Sequence, residues 1–411
     1  MKKLISFLFL IISIFTFSSC NKCNKKDTTV NLTIWGAVEH HELLNKMVKS
    51  FKEKYETEDL KFKIKIDAVS EADAFTQMQK DVTKGADVYA FPHDQISNLV
   101  RIGALAAIGG DNLTQIKDAN TDKSLLSAKV GNYYYGYPIA SDNGYFLYYD
   151  KSKISENETK ELKNILNACE KSNSKFVFDL DNSWYDASFF FATGCSYDVV
   201  YDEKGTTEVS VSCDFNSDKG VIAGKAMLQL ANNKNFLNGG DDEIKAGFAD
   251  GSVAAAVSGT WNAVAIKKSL ESNYSATKLP TFTVDSKTYQ MSSFTGFKLM
   301  GVNPHSDNLV WAHKLANWLT NEENQKLRFK ELEIGPTNKN VAMSEEVKAN
   351  IALAALNLQN QYAKVQQSVP TNYWNAVEAF GVGVCKGEVN SSNLQEKLNQ
   401  MVDLIKSINN N

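Results

Sequence analysis

The chain has 411 residues, of which 43% are apolar and 22% charged, with a formal net charge of -4. These are globular values, and the length calls for two cores rather than one. The slight acidic balance excludes the basic footprint of a nucleic-acid binder, so no nucleic-acid partner is expected.

The N-terminus reads as an address. Lys2 and Lys3 precede an apolar run over 4–17 that is too short to span a bilayer comfortably. Ser18, Ser19 and Cys20 follow. This resembles a bacterial lipoprotein signal, with 1–19 removed and Cys20 lipidated, although Phe17 stands where such signals prefer Leu. The several acyl chains of a lipoprotein cysteine anchor stably. Residues 20–30 are then a polar, lysine-rich tether.

Residues 31–35 alternate, with Leu32 and Ile34 on one face, and predict a strand. Leu43, Leu44, Met47, Phe51 and Tyr55 fall at helical spacing; Phe62, Ile64 and Ile66 alternate again; Phe75, Met78 and Val82 mark a second helix. The run 88–91 predicts a buried strand that Pro92 ends, followed by His93, Asp94, Gln95 and a helix carrying Ile96, Leu99 and Val100. Gly103 fits that helix's C-terminal cap. Strand alternating with helix argues for a parallel sheet with covered faces. In such sheets ligands bind outside the carboxyl ends of the strands, where Glu39, His40, Glu71, Asp73 and Asp94 all fall. The plain alternative for each acid is a solvated helix N-terminus, favoured by the dipole.

Two strands, 133–139 and 145–149, flank the segment ASDNG, where a crossing to a second domain is expected. A helix over 159–169 and a strand with Phe176, Phe178 and Leu180 lead to Asp181, Asn182, Ser183, Trp184 and Tyr185, then an apolar helix. A hairpin turning near 203–206 would bring Cys195 and Cys213 together as a disulfide; two buried free thiols are the alternative. The small-residue strand 253–257 leads through Gly259 to Trp261 at a helix start, either a rim aromatic or core filler. Further strands are expected at 279–282 and 294–299. Helices are expected at 309–319, 344–368, 373–387 and 391–408, with a turn at Gly335-Pro336 and with Tyr373 and Trp374 opening the penultimate helix.

The chain carries no glycine-rich phosphate loop, G-x-S-x-G elbow or HExxH helix. No cofactor or metal is expected; a metal site from His40, His41 and His93 is the weakest of the rival readings. Carboxylates at strand ends accept strong hydrogen bonds from hydroxyls, and aromatic faces stack on sugar rings, which together make a sugar clamp without catalysis. The same carboxylates would also serve a glycosidase.

The stretches LTIWGAVEHHELLNKMVKSFKEKY (32–55), EADAF (71–75), DVYAFPHDQISNLVRIGAL (87–105), YPIA (137–140), FADGSVAAAVSGTW (248–261), LPTF (279–282) and YWNAV (373–377) together resemble the maltose/maltodextrin-binding proteins, family 1 extracellular solute-binding proteins of ABC importers. The resemblance implies an α/β two-lobed clamshell with three interlobe crossings, lobe 1 from 31–141 plus 295–341 and lobe 2 from 142–294 plus 342–411. It implies a lipid-anchored, exported, monomeric receptor, not an enzyme, that passes an oligosaccharide to an ABC permease; another oligosaccharide or solute is the alternative. Carried over by position, the ligand contacts are Glu39, His40, Asp73, Phe91, Asp94, Asp142, Asn182, Trp184, Trp261, Tyr373 and Trp374. Phe91 stands where the family often has Trp, Gln95 where it has Arg, Asp142 and Asn182 where it has Glu, and Trp184 where it has Tyr.

Overall fold

The computed structural model describes residues 28–203, 207–367 and 369–408. The export signal, Cys20 and the centre of the expected hairpin turn lie outside the described residues.

Two five-stranded sheets organise the chain. The first has the order Leu60–Ala68, Thr28–Gly36, Val88–Pro92, Lys298–Val302, Tyr137–Ala140. Its first three strands are parallel, as the alternation predicted; Lys298–Val302 runs antiparallel to both of its neighbours, so the sheet is mixed rather than purely parallel. Thr28, Thr29 and Val30, assigned above to the tether, instead pair with Leu60, Lys61 and Phe62, and Val30 is buried. The second sheet has the order Phe236–Asn238, Lys175–Phe178, Val253–Ser258, Phe146–Asp150, Tyr274–Thr277. The chain thus leaves the first sheet after Tyr137–Ala140, builds the second, and returns at Lys298–Val302.

Each sheet has its own core because helices bury an apolar stripe against it. The helix His41–Tyr55 buries Leu43, Leu44, Met47, Val48 and Phe51 with Ile34 and Val88, and Leu309–Leu319 adds Ala312, Leu315 and Leu319. The second core joins Leu147, Phe176 and Phe178 to Ile165, Phe189 and Phe190, and to the C-terminal helices through Val377, Leu398 and Val402. Gly103 takes a φ of 71° after the helix Ile96–Arg101, the left-handed cap that its position predicted.

Other expectations change. The single helix over 344–368 is three elements: Glu345–Lys348, Ile351–Gln359 and the strand Ala363–Val365. The break follows from capping. Ser344 and Asn350 each accept a backbone N–H at a new helix start, and Ala363–Val365 is drawn into pairing with Ser293–Thr295. The expected strand 294–299 divides at Gly296, where any side chain would collide with the His93 ring. The hairpin Tyr197–Tyr201 with Glu208–Cys213 forms, but its disulfide does not. Cys213 faces Tyr197, so Cys195 precedes the ladder, and both thiols are free. Burial pushes both thiols up to about 11, which leaves them protonated and unreactive.

One close packing site is testable. Gly381, in the helix Tyr373–Cys385, lies against the Leu180 carbonyl and the Asp186 carboxyl, and a Cβ there would overlap both. Asp186 is fully buried with neither oxygen partnered, and burial holds its carboxyl protonated well above the usual range. Gly381→Ala should destabilise the fold by about 1–3 kcal/mol, read as a lowered midpoint in urea at unchanged slope.

Candidate functional site

The carboxyl ends of the three parallel strands of the first sheet, Gly36, Ala68 and Pro92, lie at one rim, joined there by Ala140 and by the amino end of the antiparallel strand at Lys298. The second sheet presents the segments after Phe178 and Ser258 and before Phe146 in the same way. Side chains from these two rims meet.

On the first rim, Lys298 Nζ lies 2.8 Å from Glu71 Oε2, and His40 Nδ1 lies 3.6 Å from Glu71 Oε1. Burial alone would lower the Lys298 ammonium, yet Glu71 and Asp142 hold it above its usual value. Burial likewise opposes the Glu71 carboxylate, but Lys298 and His40 keep it ionised below its usual range. For His40 burial wins over Glu71, and the imidazole is shifted down toward the neutral form. Beneath them, Arg328 is buried, donates to the Leu319 carbonyl at 3.3 Å, and is lowered by burial to about 10. These four side chains, with Trp35, Ile139 and Met300, line a small cavity. The ion pair reaches across to the second rim, where Lys298 Nζ stands 5.8 Å from the Trp261 ring centroid.

His93 and Asp94 follow the strand Val88–Pro92. Burial lowers His93 to about 4, so it is neutral; its Nδ1 accepts from the Phe297 N–H at 3.2 Å, which puts the proton on the buried, unpartnered Nε2. Burial raises Asp94 to about 7, and its Oδ1 is buried without a partner. Asp142 lies where the chain passes between the sheets. Its Oδ2 accepts from Thr260 Oγ1 at 2.5 Å and from the Gly335 N–H at 3.1 Å.

On the second rim two indoles stand together, with Trp184 and Trp261 centroids 5.8 Å apart. Each is fixed through its N–H: Trp184 Nε1 donates to Gln366 Oε1 at 2.7 Å, and Trp261 Nε1 to Asp241 Oδ1 at 3.1 Å. Trp261 folds back over Gly259, where a Cβ would collide with the ring, so the glycine is required by contact rather than by φ. Asn182 caps the helix Ser183–Ala192 by accepting the Trp184 N–H, and donates to Asp179 at 3.0 Å. Burial, with Asp181 and Asp241 nearby, pushes Asp179 up to about 7.

Of the residues singled out from sequence, His40, Asp94, Asp142, Asn182, Trp184 and Trp261 are brought to these facing rims. Glu39 is at the first rim but exposed. Asp73 is exposed and is engaged locally, accepting from Ser70 Oγ at 2.7 Å; Glu71 is the acid of that loop that points inward. Phe91 and Tyr373 are fully buried and offer no ring face here. Phe91 packs with Leu99, Leu105 and Leu299, because its strand is covered on both faces, and Tyr373 donates its hydroxyl to the Ser183 carbonyl. Trp374 is half-buried, with its ring 5.8 Å from Phe294. Lys298, Arg328, Gln366 and Asp241 escaped the sequence reading. Of these only Lys298 left a signal, a cation at the point where an apolar strand begins.

Residues 46–355 match the family described as bacterial extracellular solute-binding protein. The chain is similar to the galactooligosaccharide-binding protein of Bacillus subtilis (strain 168), at 27% identity over 368 residues, 86% of this chain and 83% of the relative. A solved structure with acarbose superposes with a TM-score of 0.82 at 29% identity, covering 92% of this chain and 99% of the other. The maltodextrin binding protein MalE1 from L. casei BL23, without ligand, shares the fold with a TM-score of 0.74 at 24% identity, covering 92% and 100%. The two-lobed α/β architecture implied by the sequence is therefore the one observed.

Asp94 gives this site a pH signature. An unfolded carboxyl releases its proton near pH 4, whereas Asp94 keeps its proton to about 7. The native state holds the extra proton between those values, so the stability it contributes is full below about pH 4 and lost as pH rises through about 7. Asp179 adds a slope of the same sign. Asp94→Asn should match the parent's melting temperature at pH 4 and exceed it by about 2–4 °C at pH 8, as read by calorimetry across that range.

Proposed function

The chain belongs to the bacterial extracellular solute-binding protein family, and from that premise we propose that it is a lipid-anchored receptor that captures an oligosaccharide between its lobes and delivers it to an ABC permease. Maltodextrin is the first choice of ligand, from the motifs and from the maltodextrin-binding neighbour. A galactooligosaccharide is the second, from the curated relative that carries that name. The receptor carries out no reaction, acts as a monomer, and resides on the outer face of the cytoplasmic membrane or in the periplasm. Lobe 1 comprises 31–141 and 295–341, and lobe 2 comprises 142–294 and 342–411, joined by three crossings.

The observation that carries this reading is the pair of indoles with centroids 5.8 Å apart, together with Asp94 Oδ1, buried without a partner on the first rim. Two aromatic faces supply apolar surface to sugar C–H groups, and an unpartnered carboxylate oxygen has capacity for a hydroxyl. Glu39, His40, Asp142, Asn182 and Trp374 complete the set of proposed contacts. Asp73, Phe91 and Tyr373 would join it only if the lobes rearranged on binding. A glycosidase is less well supported, because Asp142 already accepts from Thr260 and Gly335 and so is poorly placed to act as nucleophile or base.

Titration calorimetry against maltose, maltotriose, longer maltodextrins and galactooligosaccharides tests the proposal. Micromolar or tighter binding of one series without release of reducing sugar supports it, and silence across the panel discards the ligand class. Trp261→Ala should cost about 1–3 kcal/mol of affinity through lost stacking area while the melting temperature stays near the parent's. Cys20→Ala should move the protein from the membrane to the soluble fraction with unaltered affinity; persistent membrane association would remove the lipid assignment.

A further inference from the structure

We propose that Asp241 is a positioning residue of the binding site: its carboxylate holds the Trp261 indole by the N–H and so sets the ring plane that the second rim offers to a ligand. The inference rests on the reading of Trp261 as a ligand contact. Asp241 is the first residue of the helix Asp241–Asp250 and is exposed. Its place is fixed locally. The Glu243 carboxylate accepts the Gly240 N–H at 3.0 Å, and the helix dipole favours acids in the first turn. The helix leads into the strand Val253–Ser258, which is followed by Gly259 and the short turn Thr260–Asn262 that carries Trp261.

Three donors converge on one oxygen of this carboxylate. Asp241 Oδ1 accepts from Trp261 Nε1 at 3.1 Å, from Asn262 Nδ2 at 2.6 Å and from Ser258 Oγ at 3.4 Å. Asn262 Nδ2 also donates to Ser258 Oγ at 3.0 Å, and both of these residues are buried. On the other side of the turn, the Tyr148 hydroxyl donates to the Gly259 carbonyl at 3.0 Å. The strand end, the turn and the helix start are thereby tied at a single atom. An indole turns about two side-chain bonds. Contact with Gly259 restricts both, and an N–H bond to a charged acceptor, stronger than one to a neutral group, selects one ring plane. That plane lies at 43° to the Trp184 ring, and Lys298 Nζ of the first rim stands 5.8 Å from its centroid. An aromatic already held in one orientation needs no further ordering when a sugar stacks on it, so Asp241 alters affinity by acting through Trp261.

The test uses the full-length protein with isotope-labelled tryptophans, and maltotriose and galactotriose as probes. The six tryptophans give six indole N–H resonances by NMR, and Trp261→Phe identifies the one that belongs to Trp261. In the sugar-free parent that resonance should lie downfield of a freely solvated indole and exchange slowly with water. Asp241→Ala should move it to the solvated position and weaken binding of whichever probe the parent takes by about three- to tenfold. Asp241→Asn keeps an acceptor oxygen on a side chain of the same size, and should return both the resonance and the affinity toward the parent. A general loss of helix stability would not move this one resonance. An unmoved Trp261 resonance in Asp241→Ala, or unaltered affinity in that variant where Trp261→Ala weakens binding, overturns the assignment. Should the alanine variant not fold, the parent decides: a Trp261 resonance at the solvated position overturns the assignment with no change at 241. If the parent binds neither sugar, the ligand reading falls, while the sugar-free resonance still decides whether Asp241 holds the Trp261 ring.

Discussion

The buried carboxylate of Asp142 is the constraint on which the arrangement of the two sheets depends. It sits in the segment that leaves the first sheet, and it accepts from Thr260, which follows a strand of the second sheet, and from the backbone of Gly335. Ser141 beside it donates its own N–H to the Gly335 carbonyl, so three separated parts of the chain are tied within two residues. Its Oδ1 is buried without a partner, so any rearrangement that pulls Thr260 or Gly335 away removes one of the two hydrogen bonds that this buried carboxyl has. The passage between lobes is therefore a specified joint rather than a loose linker.

Charge at the rims follows the same logic. Lys298 and Glu71 remain ionised in a half-dry setting because each supplies what burial denies the other, whereas His40 and His93 give up their protons because nothing near them is sufficient. On the second rim, burial together with Asp181 and Asp241 makes Asp179 hold its proton. The result is a surface whose polar groups are mostly neutral or paired, set beside two fixed indoles. That character suits a neutral, hydroxyl-rich molecule better than an ion.

Much of this was legible from pattern. The apolar alternation in the first strand and the helical spacing of Leu43, Leu44, Met47 and Phe51 are one-dimensional signals, and the rim position of Asp94 follows from them once strands are counted. What pattern cannot reveal is which of two neighbouring groups turns inward. Glu71 and Asp73 share a loop, and a local bond from Ser70 engages Asp73 and leaves Glu71 to meet Lys298, a strand far away in sequence. The resemblance makes Phe91 a ligand contact, but Gly301 of the neighbouring strand lets its ring pack inward. Gln366 lies in a short irregular stretch with no period at all, and its partners lie far away in sequence at 143 and 184. The break in the helix after residue 344 is also written in the sequence, since Ser344 and Asn350 are capping residues by type.

The first strand has a mechanical consequence. Thr28–Gly36 is an interior strand, flanked by Leu60–Ala68 along its whole length and by Val88–Pro92 at its far end. If the chain before it is a lipid tether, any pull from the membrane enters the fold at Thr28 and runs along the strand axis. Ladder bonds lie across that axis, so they bear the load together in shear instead of parting one after another. The protein would then be fastened at a place where tugging is resisted by the sheet as a whole, and the lobes could open and close without the anchor line unravelling the strand it holds.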